Sequence, residues 1–203
     1  MNETVTESAA PKLHMPRAEA EAVRTAYRTA RAIVEYGTGG STLFASAESQ
    51  ATLLGIESDA GWLEKLEGWL GEAGGRREGI NLRHIDVGPV GAWGVPKDCS
   101  GYRNYPAYAL SPWVDPVPGM GAPDLVFIDG RFRLACFAAT LVNITAPVTV
   151  LWDDYQGRPG YHAAEAFAGK PEMIGRMALF ELKPRQFSGA EISRIIPWFV
   201  IPR

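Results

Sequence analysis

The stretch Ile33-Val34-Glu35-Tyr36-Gly37-Thr38-Gly39-Gly40-Ser41-Thr42 restricts the fold more than any other part of the chain. Ile33, Val34 and Tyr36 suit a buried strand. Gly37, Gly39 and Gly40 then allow a tight turn that a ligand can approach closely, and Ser41 is a good N-cap for a helix through Thr42-Leu43-Phe44-Ala45-Ser46. A strand, a glycine turn and a helix start together predict a nucleotide-binding loop, with free helix N–H groups facing the ligand.

The details narrow the choice of ligand. No Lys-Ser or Lys-Thr pair follows the last glycine, so this is not a P-loop. Gly37 and Gly39 fit the dinucleotide pattern, but Thr42 stands where a third glycine or alanine is expected. Glu35, two positions before the first glycine, is expected at the strand end facing the ligand, where it repels a pyrophosphate and attracts an ammonium group. The run Glu35-Tyr36-Gly37-Thr38-Gly39-Gly40-Ser41 resembles motif I of the class I S-adenosylmethionine-dependent methyltransferases.

With 203 residues and 46% hydrophobic content, the chain can bury one full α/β core. A net charge of -3 and no basic run longer than Arg76-Arg77 argue against nucleic acid as a partner. Cys99 and Cys136 are too few for a zinc site or a disulfide framework, which fits a reducing cytoplasm. Residues 1–15 read as a loose arm without a signal peptide, and no segment is apolar enough to span a membrane. Residues 16–203 read as a single domain.

Along that domain, Arg17 to Tyr27 reads as a helix, followed by the glycine-loop strand and by a second strand, Thr52 to Glu57. Asp59 is a candidate N-cap for the next helix, in which Trp62, Leu66, Trp69 and Leu70 read as core. Asn81 to Val87, Asp124 to Asp129 and Val148 to Trp152 are three more strands. Gly88 to Pro123 reads as an irregular insertion rich in Gly, Pro and aromatic residues, too long for an ordinary connector and so an ordered lid. Its aromatics shape an acceptor pocket, a small accessory core or a homodimer contact. Met173 to Leu182 and Arg194 to Ile201 read as an antiparallel strand pair, with Pro197 at a bulge or edge. The pattern is an open α/β sheet, parallel with one reversed strand. The methyltransferase resemblance implies a Rossmann-like sheet of about seven strands, order 3-2-1-4-5-7-6, with helices on both faces.

Strands one to five end in Glu35, Glu57, Asp86, Asp129 and the pair Asp153-Asp154, all at the edge where open α/β sheets bind ligands. Glu57 lies 20 residues after Gly37 (57 − 37), the spacing at which an acid accepts hydrogen bonds from ribose hydroxyls. The resemblance gives Glu57 the same task. It implies that Glu35, Tyr36, Gly37, Thr38, Gly39, Ser41, Glu57, Ser58, Asp86 and Asp129 line the cofactor site, with Asp86 near the adenine amino group. Cation-dependent O-methyltransferases of the family carry an acid after strand four and an Asp-Asn pair after strand five, so Asp129, Asp153 and Asp154 are candidate ligands for Mg²⁺ or Ca²⁺ and candidate catalytic residues. Oxygen ligands suit such ions. Alternatively, Arg131 and Arg133 neutralise these acids and no metal is needed.

The resulting expectation is methyl transfer from S-adenosylmethionine to a small-molecule acceptor, at oxygen. A non-catalytic protein that binds S-adenosylmethionine or another nucleotide, and a nicotinamide-dependent oxidoreductase, are the alternatives.

Overall fold

The computed structural model describes residues 10–202. Helix α1 (Arg17–Thr29) starts after Pro16, whose fixed φ suits the residue that opens a helix. It leads into β1 (Ala32–Tyr36), buried along its whole length, then α2 (Gly40–Glu48) and β2 (Thr52–Glu57). Helix α3 (Ala60–Glu72) is capped as its sequence predicts, the Asp59 carboxylate accepting from the Trp62 N–H. β3 (Ile80–His84) stops short of Asp86.

Two strands near the sheet centre, β4 (Leu125–Ile128) and β5 (Val148–Trp152), flank α5 (Arg133–Asn143). A 3₁₀ turn and the short α6 (Glu165–Ala168) lead to β6 (Glu172–Ile174) and β7 (Met177–Leu182), and α7 (Gly189–Ile195) follows. The strands form one sheet in the order β3-β2-β1-β4-β5-β7-β6. β7 alone is reversed, pairing antiparallel with both β5 and β6. This is the seven-stranded Rossmann-like order implied by the resemblance.

Two segments differ from the sequence expectation. The region 88–123 is not irregular throughout, because Tyr105–Val114 forms helix α4. Its prolines mislead: Pro106 sits in the first turn, where its missing N–H costs nothing. Burial of Tyr105, Tyr108 and Ala109 against the sheet then outweighs the interior Pro112. A parallel connection from β3 to β4 needs such a crossover element. At the C-terminus, Arg194 to Ile201 is helical rather than a strand, and the hairpin lies wholly within 172–182, turning at Gly175 and Arg176. Ser188 and Glu191 form a capping box that starts α7, and Pro197, with no N–H to give a ladder, sits in the 3₁₀ turn after it.

Apolar layers cover both sheet faces. One face packs α4, α5 and the C-terminal turn around Phe137, Trp152 and Phe180. The other packs α1 and α2 around Phe127, whose ring meets Tyr27 edge-on at 6.0 Å. That contact contributes about 0.5–1.5 kcal/mol beyond the area it buries and fixes α1 across the sheet centre. The layers hold the C-terminal ends of β1, β2 and β4 rigidly side by side, at the point where the strand order reverses.

Candidate active site

At that reversal Gly37 turns with φ +89°, and an added Cβ would lie 2.5 Å from Gly130 Cα in the loop after β4. The two backbones touch, so the loop needs glycine here for both its angle and its space. Gly39, not Ser41, is the N-cap of α2. Ser41 lies inside the first turn and its hydroxyl donates to Glu35, as does that of Thr42 at 2.9 Å. The N–H groups of Gly40 to Thr42 have no helical carbonyl to reach.

Glu35 does not face a ligand. It is fully buried beneath the loop, and burial pushes its carboxyl up to about 8 against the two hydroxyl donors. Its place is structural: it ties the start of α2 to β1. Tyr36 likewise points into the core, its hydroxyl donating to the Ala109 carbonyl at 2.6 Å.

The acid expected to accept from a ribose is Glu57. It is buried at the end of β2 and lines a cavity of about 480 Å³. One carboxylate oxygen accepts from the Thr38 N–H at 3.2 Å, the other from the Ser58 and Asp59 N–H groups at 2.7 and 3.1 Å. Burial raises its pKa, and these N–H donors oppose the rise. Ser58 is buried behind it, its hydroxyl donating to Gly94. Asp86 is exposed, accepts from the Gly88 N–H at 2.9 Å and does not line the cavity. It stops a turn; β3 ends two residues before it.

The cavity runs from Glu57 across Gly37, Thr38, Gly39, Gly40 and Ser41 to Asp129, Gly130 and Arg131. Its walls include features that the sequence reading missed. Pro11 to Met15 cross the N-terminus of α2, with the Lys12 backbone against Gly40. Trp62 and Trp69, read as core, instead face the cavity from α3, where Leu63, Leu66 and Leu70 fill the buried stripe. They stack edge-on, and the Trp62 indole N–H donates to the Thr38 carbonyl at 2.8 Å. Trp93 is 85% exposed at the rim with φ +62°. Among the described residues, the non-glycine positions with such a φ are Trp93, Phe132 and Asp154, all in or beside this region. Each costs about 1–3 kcal/mol, and strain of this sort gathers at functional sites.

The aspartates after β4 and β5 do not form a cation site. Buried Arg133 donates to the Gly130 and Asp153 carbonyls at 2.9 and 2.7 Å and to the Asp129 carboxylate at 3.0 Å. Asp153 is held bidentately by Arg176 at 3.1 and 2.9 Å. Asp154 pairs with Arg176 at 3.2 Å and Arg158 at 3.4 Å. Asp153 and Asp154 are committed to guanidinium groups and lie outside the cavity, and Asp129 gives one oxygen to Arg133, so the three residues together do not fit Mg²⁺ or Ca²⁺. No group of three or more potential ligands arranged to hold a metal occurs among the described residues. Of the expected neutralising arginines, Arg133 pairs directly with Asp129, whereas Arg131 acts on it only through its nearby charge, with no ion pair among the described residues. Asp129 alone of the three reaches the cavity. Burial, followed by the nearby Asp153 and Asp154 charges, pushes its carboxyl up to about 6 in spite of Arg133.

No family model matches the chain, and no curated protein matches it. Among solved structures, a methyltransferase-like protein from Silicibacter pomeroyi is 42% identical over 95% of this chain and 99% of its own, with a TM-score of 0.88. The chain belongs to the class I, Rossmann-like methyltransferase family. More distant methyltransferases share the fold. The O-methyltransferase TomG from Streptomyces achromogenes, solved with S-adenosylmethionine, is 20% identical over 85% of this chain and 82% of its own, with a TM-score of 0.56. An O-methyltransferase from Bacillus cereus, in complex with S-adenosylhomocysteine, is 14% identical over 78% and 70%, with a TM-score of 0.53. Within this methyltransferase fold the cavity lies at the switch between β1 and β4, beside the glycine loop. Among the described residues no helix is long and apolar enough to cross a membrane.

Proposed function

We propose that the protein transfers the methyl group of S-adenosylmethionine to a small-molecule acceptor, at oxygen, without a metal. The observation that carries this reading is that Glu57 and Asp129 line one cavity from either side of β1, where the Gly37–Ser41 loop begins. Its volume of about 480 Å³ suits a small ligand or cofactor.

The residues fit the cofactor. Glu57 accepts from ribose hydroxyls, Trp62 and Trp93 offer aromatic faces to the adenine, and the unpaired N–H groups at the start of α2 meet the carboxylate of the amino-acid end. When bound, S-adenosylmethionine supplies an electrophilic sulfonium methyl. The protein supplies orientation and exclusion of water, for which the strap of Pro11 to Met15 and the rim Trp93 are placed. Asp129 takes the proton from the acceptor hydroxyl, a task suited to a carboxyl near 6 that is ionised at neutral pH yet more basic than a free aspartate.

The test is formation of S-adenosylhomocysteine from S-adenosylmethionine over a panel of hydroxylated acceptors, with and without EDTA. Turnover unchanged by EDTA is expected. Turnover lost to EDTA and restored by Mg²⁺ contradicts the metal-free mechanism, and cofactor binding with no transfer to any acceptor favours a non-catalytic binder.

A further inference from the structure

Among the described residues, Arg131 is the arginine lining this cavity that makes no ion pair. Arg133, Arg158 and Arg176 each pair with an aspartate, whereas Arg131 forms no ion pair with any described carboxylate. Its Nε is enclosed yet makes no hydrogen bond among the described residues. That enclosed Nε is out of a ligand's reach, so a molecule in the cavity is met by the two terminal amino groups of the guanidinium, which are not enclosed.

The loop that carries it is held in place. The Arg131 backbone N–H donates to the Tyr108 hydroxyl at 3.4 Å, the next residue, Phe132, adopts φ +53°, and Arg133 donates to the Asp129 and Gly130 carbonyls just before it. Arg131 therefore enters the cavity from a pinned loop, directly after Asp129 and Gly130. Burial and the neighbouring Arg133 act against its charge, Tyr108, Tyr161 and Asp129 act for it, and the balance is a lowered pKa that a bound anion would offset.

We propose that Arg131 anchors an oxyanion carried by the methyl acceptor beside its reacting hydroxyl, so that the acceptor is a hydroxylated carboxylate or phosphate ester rather than a neutral alcohol or phenol. This rests on the methyltransferase reading of the cavity. A planar guanidinium binds either oxyanion through paired N–H donors. The carboxylate of the cofactor is the other anion that could reach this region, but it has the N–H groups at the start of α2 beside the glycine loop. That leaves Arg131 for the acceptor, beside the carboxylate that takes its proton.

The experiment is calorimetry on wild type and Arg131→Gln, each free and loaded with S-adenosylhomocysteine, titrated with benzoate, phenyl phosphate and benzamide. The expected result is that one or both anions bind wild type about tenfold or more tighter than benzamide. That preference should vanish in Arg131→Gln, and both proteins should bind S-adenosylhomocysteine equally. Which anion is preferred separates a carboxylate from a phosphate acceptor. Anions that bind no better than benzamide, or a preference that survives the substitution, overturn the proposal. So does a loss of S-adenosylhomocysteine affinity in Arg131→Gln with 5′-methylthioadenosine affinity intact, which would assign Arg131 to the cofactor carboxylate. Failure of wild type to bind S-adenosylhomocysteine at all strikes the methyltransferase reading instead, and the anion preference is then read on the free protein.

Discussion

Glu35, Glu57 and Asp129 at this sheet edge all have pKa values raised first by burial, and for Asp129 and Glu35 the consequences differ. Asp129 reaches the cavity near other acids, so its titration should show in the chemistry. The ¹³C-carboxyl titration of Asp129 should have its midpoint near 6, and Asp154→Asn, which removes a like charge, should lower it. The rate of methyl transfer should rise with pH through the same value and then level off. A midpoint near that of a free aspartate, unmoved by the substitution, would remove Asp129 as the base. Glu35 is sealed under the loop, so its titration should show in stability. The folded chain keeps that proton up to about pH 8, whereas the unfolded chain loses it near 4.3. Between these values the folded state binds more protons, so stability falls as pH rises across the window and is level above it. Glu35→Gln should change unfolding midpoints little at pH 5 and raise stability by about 1–3 kcal/mol at pH 8. An equal loss at both pH values would mean that the carboxyl is ionised in the fold.

At the scale of elements, the glycine loop depends on its contact with the loop after β4. Gly37→Ala should destabilise by at least about 2 kcal/mol and abolish cofactor binding, because the new methyl would sit 2.5 Å from Gly130 Cα at φ +89°. Gly68→Ala, on α3 with nothing within 4 Å, should instead stabilise by about 0.5–1 kcal/mol. Thermal melts of the two variants check both signs. The strand-turn-helix at Ile33 to Thr42, the Asp59 cap and the place of Glu57 were legible in the sequence because each is set by local chemistry within a few residues. Helix α4 was not, since burial of Tyr105 and Tyr108 decides it over the local Pro and Gly signals. The strand expected over 194–201 failed through an apolar run that read as a strand while Ser188 and Glu191 announced a helix. Partners distant in sequence were also hidden. Nothing near Asp153 indicates that Arg176 will hold it, and nothing near Gly40 indicates that Lys12 will cross it. Trp62 and Trp69 share helical spacing with the buried leucines of α3, and only the third dimension shows that they face the cavity.

For the molecule as a whole, the central claim is that a rigid seven-stranded sheet presents Glu57, the glycine loop and Asp129 as one cofactor cavity. Its acids are balanced by arginines rather than by a cation. The sheet order, the wedge of Gly37 against Gly130 and the strap across α2 all shape that cavity, which Arg131 also lines. The most direct measurement is a calorimetric titration of wild type and Glu57→Gln with S-adenosylhomocysteine in the presence of EDTA. Saturable one-site binding to wild type is predicted, weakened about tenfold or more in the variant, with both proteins folded as judged by their melting curves. Absence of binding to wild type, or equal binding by the two proteins, would contradict the account.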